Sequence, residues 1–384
     1  MALAEASLPV VTTISARKHS VFTLLENKQT RYKQEVDIRD HGHATELLFD
    51  WIEHGGAKEN GIRSLADVER VGDRVVHGAD RFNGPVQITE SVISGIEALE
   101  DLALLHNASA LKVIRAAQAR VGPRLAMVAV FDTVFHRTIP EEAALYPLPL
   151  DLARRHGIRR YGFHGISHRY MMIRYATIAR RPSKDMNLIT LHLEGGSSAA
   201  AIEGGKSIDT SMGFTPLEGL MMGTRSGDID AAIVGYLMRK ENMDTAGAEK
   251  FLNKECGLLG VSGISADTRE LRQQLSDRSV NLAVNMFCYR VRKYIGAYLA
   301  VLGGADAIVV GGGIGENTAV IRERIFAGFG WCGAVLDLQR NNDAVDCEAP
   351  ITTPESPIQV WVVPTQEGRM MAKDVADYTG QNRR

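Results

Sequence analysis

At 384 residues, with 45% hydrophobic and 23% charged residues, the chain has ordinary globular composition and room for two domains of about 100–200 residues each. With 44 Lys and Arg against 46 Asp and Glu, the net charge of −2 excludes the broad basic field that nonspecific nucleic-acid binding relies on, so any anion site must be local. No apolar run approaches the roughly 18–20 residues of a bilayer crossing, and Cys256, Cys288, Cys332 and Cys347 follow neither a CxxC nor a Cys/His metal spacing. Reduced thiols in a cytoplasmic protein are expected.

In chain order, residues 8–39 read as three strands, Val10 to Ile14, Val21 to Leu25 and Arg31 to Ile38, joined by short polar turns into an antiparallel meander. A helix is expected around Ala44 to His54, a strand at Arg74 to Val76, helices around Ile93 to Leu105 and Ser109 to Arg120, and a strand over Ala126 to Phe131. The stretch His136 to Arg159 contains prolines and mixed polarity, which sets a domain boundary near Phe135. Beyond it a similar order recurs: strands at Leu188 to His192, Ser198 to Ile202 and a segment running to Asp209, then helices at Ile229 to Arg239 and Val280 to Leu302. Strands at Ala307 to Val310 and Val360 to Val363 follow, and Glu367 to Tyr378 reads as a helix. Two halves that each open with a meander and continue as alternating helices and strands indicate a duplicated α/β architecture. The expected domains are residues 1–135 with 368–384, and 136–367.

Three kinds of signal carry chemistry. Glycine-rich turns follow apolar runs at His192 to Ser198 and at Gly311 to Asn317; glycine lets backbone N–H groups approach an anion, and a helix at Thr318 to Ala327 would aim its positive end at a phosphate. Arginines and histidines stand in turn-like settings: Arg74 with His77, His164 with His168, and Arg225. The planar guanidinium suits carboxylate or phosphate, and a nearby imidazole can donate to developing negative charge. Carboxylates lie at strand ends, Asp132 after Val128 to Phe131 and Glu367 after Val360 to Val363, where they can hold Mg²⁺, orient a nucleophile or cap a helix.

Taken together, these segments resemble the acetate kinase family, in the same order over residues ~70 to 370. The matching stretches are Asp73-Arg-Val-Val-His-Gly78, Val130-Phe-Asp-Thr133, Tyr161-Gly-Phe-His-Gly165, Asp209 to Gly219, Gly223-Thr-Arg225, Gly260-Val-Ser-Gly-Ile-Ser265 and Gly313-Ile-Gly-Glu-Asn317. The resemblance implies two related α/β domains of the acetate and sugar kinase, Hsp70 and actin (ribonuclease H-like) type, with a duplicated βββαβαβα core closing over a nucleotide. It also implies a homodimer and reversible phosphoryl transfer from ATP to acetate. By the same resemblance Arg74 and Arg225 hold the carboxylate and the phosphoryl group, His164 donates to the phosphoryl in flight, and Asp132 is the active-site acid or base. The ATP-binding segments are His192, Leu193, Glu194, Gly195 and Gly196; Asp267, Thr268 and Arg269; and Gly313, Ile314, Gly315, Glu316 and Asn317. Glu367 is the Mg²⁺ ligand. A carboxylate nucleophile is already ionised at neutral pH, which favours an orienting or metal-linked role for Asp132 over that of a strong base.

The chain departs from the family pattern in two places. Aligned on Val21 to Leu25, Ile14, Ala16 and Val21 occupy the positions of the family's Asn, Gly and Lys, and Arg17, Lys18 and His19 stand across its serines. Glu194 puts a negative charge where the family's Leu-Gly-Asn-Gly turn has none. The alternatives to acetate kinase are a weak or inactive nucleotide-binding relative, or a propionate kinase on the same scaffold.

Overall fold

A computed structural model describes residues 10–11, 21–26, 29–35, 38–56, 58, 61–99 and 104–381, with 10–35, 104–106 and 379–381 described by their backbone alone. Ile14, Ala16, Arg17, Lys18 and His19 lie outside the described residues. Packing divides the chain into two units, Met1–Val134 with Gln366–Arg384, and Phe135–Thr365.

In the first unit β1 (Val10–Val11), β2 (Val21–Glu26) and β3 (Gln29–Glu35) form an antiparallel sheet in that order. A second sheet has the order β4-β6-β5, from β4 (Arg70–Val75), β5 (Val86–Gln87) and β6 (Ala126–Phe131). β4 and β6 run parallel, and β5 lies antiparallel to β6. The run Ala-Met-Val-Ala-Val-Phe of β6 is buried from Met127 to Phe131, as a central strand covered on both faces must be. Val75, Met127, Ala129 and Phe131 pack with Ile93, Ile96, Leu111 and Ile114 into one apolar core. The helices run from His41–Glu53, Glu90–Glu97 and Leu104–Val121, so the first of the expected pair ends earlier and the second begins earlier than apolar spacing suggests. Thr89 sets the start of one of them, its hydroxyl accepting from the Val92 amide. The closing helix Glu367–Gln381 lies against β4 so tightly that a methyl on Gly72 would fall 2.9 Å from Val375 Cγ2.

The second unit is built on a six-stranded sheet of order β11-β12-β10-β7-β8-β9. Its strands are β7 (Asn187–Leu193), β8 (Ser197–Glu203), β9 (Lys206–Thr210), β10 (Ala307–Gly311), β11 (Ala349–Pro350) and β12 (Gln359–Val362). β7, β8 and β9 are an antiparallel meander, which β10 extends parallel to β7 and β12 parallel to β10. Strand alternation divides β7 by parity. Ile189, Leu191 and Leu193 enter the main core with Val284, Phe287 and Val291 of the helix Arg278–Leu302. Thr190 and His192 face the helix Gly165–Ala179 and the turn before it, with Thr190 bonded to His168 and the His192 ring 4.4 Å from that of His164.

The turn after β10 differs from the expected plan. The helix foreseen at Thr318 to Ala327 is Ala319–Phe326, and the glycine turn before it is itself helical, Gly312–Asn317. Glu316 closes that short helix by accepting from the Gly312 amide at 2.8 Å. Gly312 has φ +78°, and a methyl there would meet the Leu193 carbonyl oxygen at 2.6 Å, so both the conformation and the space call for glycine. No helix among the described residues is long and apolar enough to cross a membrane.

Candidate active site

The first unit gathers three of the sequence-selected residues around one guanidinium. Arg74 lies near the end of β4, and Asp132 follows β6, its amide bonded to the Val75 carbonyl. This parallel pairing sets the two side chains abreast. Arg74 Nε donates to Asp132 Oδ1 at 2.9 Å and Nη2 to Oδ2 at 2.7 Å, a bidentate fork, and Nη1 donates to Glu367 Oε2 at 3.0 Å. Asp132 is 1% exposed, and a carboxylate that far from water is sustained by a partner that meets both its oxygens. His77, singled out beside Arg74, is buried: its backbone N–H and carbonyl are clamped by Asn107, and its Nδ1 accepts from the Ala79 amide. Its neighbour Asp73 is also buried, with Oδ2 lacking a hydrogen-bond partner among the described residues, and loss of water pushes its carboxyl up to about 7.

The second unit gathers the histidines. His164 sits in the left-handed region at φ 55°, immediately before the helix Gly165–Ala179. His164 Nδ1 meets Ser198 Oγ at 2.8 Å, and His168, one helical turn on, meets the same hydroxyl through Nε2 at 2.8 Å and Thr190 Oγ1 through Nδ1 at 2.7 Å. Burial draws His168 well below its ordinary value, and so too His136, to about 4; the latter is bound by Ser207 and the Phe163 carbonyl. His164 and Arg225 converge on the turn between β7 and β8. A methyl on Gly196 would lie 3.3 Å from His164 Nε2 and 3.5 Å from Arg225 Nη1. Arg225 donates from Nη1 to the Pro216 carbonyl at 3.1 Å, and burial draws its guanidinium below its usual value.

The expected nucleotide segments lie close to one another. The Gly223 amide donates to the Gly195 carbonyl at 3.1 Å, and a methyl on Gly223 would touch Ala266, next to Asp267. A methyl on Gly313 would lie 3.5 Å from Glu194 Oε1. Glu194, 61% exposed, has Oε2 3.5 Å from His192 Nε2. Within these segments the side chains of Leu193 and Ile314 belong to the core, so only their backbone can face a ligand. Glu316 is a brace: its Oε1 accepts from the Gly312 and Thr365 amides and from the Thr365 hydroxyl. Asp267 caps the helix Thr268–Leu271 and pairs with Arg269 at 2.6 Å. Sequence reasoning missed Thr190 and Ser198, which look like ordinary strand residues, and Arg160. That arginine donates to the Thr210, Ser211 and Met212 carbonyls and to Glu218, tying down the Asp209 to Gly219 stretch.

The family model of the Acetokinase family matches residues 5–373. The chain belongs to the acetokinase family. It is 46% identical over 358 residues to an acetate kinase of Solibacter usitatus, covering 92% of this chain and 86% of that one. Among solved structures it is similar to the acetate kinase of Porphyromonas gingivalis, at 40% identity and TM-score 0.84 over 93% of this chain and 89% of the other. A propionate kinase from Francisella tularensis is 36% identical, also at TM-score 0.84, over 94% and 90%. The fold is therefore the two-domain α/β fold of the acetokinases.

That family works with a divalent metal. Mg²⁺ takes one or two carboxylates, keeps several waters and shares substrate phosphates. Among the described residues no group of three or more His, Cys, Asp and Glu forms a cage. Glu367, a hard oxygen donor that is partly exposed, fits an ion that arrives with its nucleotide, whereas Asp132 is closed off with both oxygens on Arg74.

Proposed function

We propose that this acetokinase transfers the γ-phosphoryl group of ATP reversibly to acetate, giving acetyl phosphate and ADP. The observation that carries the reading is that His164 Nε2 and Arg225 Nη1 lie 3.3 and 3.5 Å from the place a methyl on Gly196 would take, in a chain of this family. An acetate oxygen attacks the γ-phosphorus in line, the new C–O–P linkage forms, the bond to the β–γ bridging oxygen breaks, and ADP leaves with that electron pair. Acetate is already ionised, so no strong base is needed. His164 and Arg225 donate to the equatorial oxygens as charge spreads over them, an interaction stronger in the transition state than in the ground state.

Arg74 holds the acceptor carboxylate, and Asp132 keeps that guanidinium oriented through its two-point fork. Nucleotide is held by the backbone of His192 to Gly196 and Gly313 to Asn317, with Asp267 to Arg269 beside them. Mg²⁺, when bound, would neutralise phosphate charge, and Glu367 would hold it. The protein works in the cytoplasm as a homodimer. Propionate is a second acceptor reading, favoured by the similarity to a propionate kinase; one methylene changes discrimination by only about 1–3 kcal/mol.

The test is hydroxylamine trapping of acyl phosphate formed from Mg²⁺-ATP with acetate, and with propionate in parallel. Acetyl hydroxamate in excess of propionyl hydroxamate supports the reading. Absence of both, with ATP still bound, would leave a nucleotide-binding relative without phosphotransfer.

A further inference from the structure

Thr190 and Ser198 belong to neighbouring strands of one sheet, and His168 stands between their hydroxyls. Direction along this row follows from counting hydrogens. Thr190 is fully buried, and the one acceptor for its hydroxyl hydrogen among the described residues is His168 Nδ1 at 2.7 Å. A buried hydroxyl that strands its hydrogen is disfavoured, so Thr190 donates and His168 Nδ1 accepts. His168 is itself fully buried, and burial holds it neutral, leaving it a single N–H, which must then be at Nε2. That N–H donates to Ser198 Oγ at 2.8 Å, and the Ser198 hydrogen goes to its other partner, His164 Nδ1, at 2.8 Å.

We propose that Thr190, His168 and Ser198 are positioning residues that hold neutral His164 in the tautomer protonated at Nε2. Nε2 is the atom nearest the position before Gly196, with Arg225 Nη1 beside it. The relay therefore presents an N–H there without requiring an imidazolium. With the opposite direction of donation, Ser198 would take a hydrogen from His164 Nδ1, and Nε2 would offer a lone pair to an incoming anion. The significance for catalysis rests on the reading that His164 meets the transferring phosphoryl group; the tautomer itself does not.

The experiment is a long-range nitrogen–proton correlation of the imidazoles in the ¹⁵N-labelled full chain, with His164 assigned by loss of its signals in His164→Gln. The expected spectrum shows His164 neutral and protonated at Nε2. Ser198→Ala and Thr190→Val shift it toward the Nδ1-protonated form, and Thr190→Ser, which keeps the hydroxyl, restores the original pattern. In the hydroxamate assay Ser198→Ala lowers kcat about 10–100-fold with little change in KM for ATP, the scale typical of lost orienting partners. A wild-type His164 protonated at Nδ1, or one unmoved by both Ser198→Ala and Thr190→Val, overturns the proposal. The expected tautomer in a protein without turnover leaves the relay standing and removes the kinase reading instead.

Discussion

The two units hold their candidate site residues by different physics. In the first, Arg74 is fixed by opposite charge: a two-point fork from Asp132 and a third contact from Glu367, each at hydrogen-bond distance. In the second, Arg225 and His164 are fixed by neutral partners, a carbonyl for one and a serine hydroxyl for the other, and by the missing side chain of Gly196. An ion pair orients a guanidinium firmly but ties its charge to a local carboxylate. Among the described residues Arg225 has no carboxylate partner, which fits its proposed role toward phosphoryl charge, as the Asp132 fork fits the proposed role of Arg74 toward a small carboxylate.

The largest effect expected from breaking this contrast is at Arg225. Arg225→Ala should lower kcat by about 10²–10³, roughly 2.7–4 kcal/mol, with stability in urea little changed, because no buried carboxylate among the described residues depends on it. Arg74→Ala should lower activity and also unfold the protein earlier in urea, by about 3 kcal/mol, since Asp132 is left buried without its partner. Arg74→Ala with Asp132→Ala should regain part of that loss. Equal destabilisation by the two arginine variants would erase the distinction.

The units should also respond oppositely to acid. Asp73 in the first unit has its carboxyl raised by burial to about 7, so it favours the folded state most below about pH 4, and that contribution is lost as pH rises toward 7. His136 in the second is lowered by burial to about 4, so its contribution is full above about pH 6.5 and is lost as pH falls toward 4. Hydrogen exchange between pH 7 and pH 4.5 should show protection rising in β4 and β6 and falling in β7 to β9. Asp73→Asn should remove the first trend and stabilise the protein at pH 8 by roughly 2 kcal/mol. That is less than the full displacement implies, because the amide in its place still has unmet hydrogen bonds. The smallest expected effect is at Gly196→Ala: its methyl must displace the His164 ring by a few tenths of an ångström, costing roughly tenfold in kcat with unchanged stability.

The same contrast explains what could be read from the chain. Arg74, Asp132 and Glu367 could be singled out from the chain because carboxylates and an arginine near the ends of apolar runs suit a ligand site, although a helix cap is a comparable reading there. The glycines after β7 and β10 were visible for the same reason. The relay behind His164 was not, because Thr190 alternates with core residues and Ser198 opens a small-residue strand, as many unremarkable residues do. Only the sheet register opposite the helix Gly165–Ala179 brings their hydroxyls to His168. Helix ends were the least legible part of the fold, since they turn on caps such as Thr89 and on the side chain of Glu316, which makes the glycine turn helical.

The central claim is the proposed phosphoryl transfer to acetate, for which Arg74 and Arg225 are each required. The most direct test is a single-turnover measurement of γ-³²P transfer from Mg²⁺-ATP to acetate, comparing the wild-type chain with Arg74→Ala and Arg225→Ala while monitoring ATP binding. The account predicts labelled acetyl phosphate from the wild type and a loss of about 10² or more in rate for each variant, with ATP still bound. Transfer that persists in either variant, or a wild-type protein that binds ATP and transfers nothing, would contradict it.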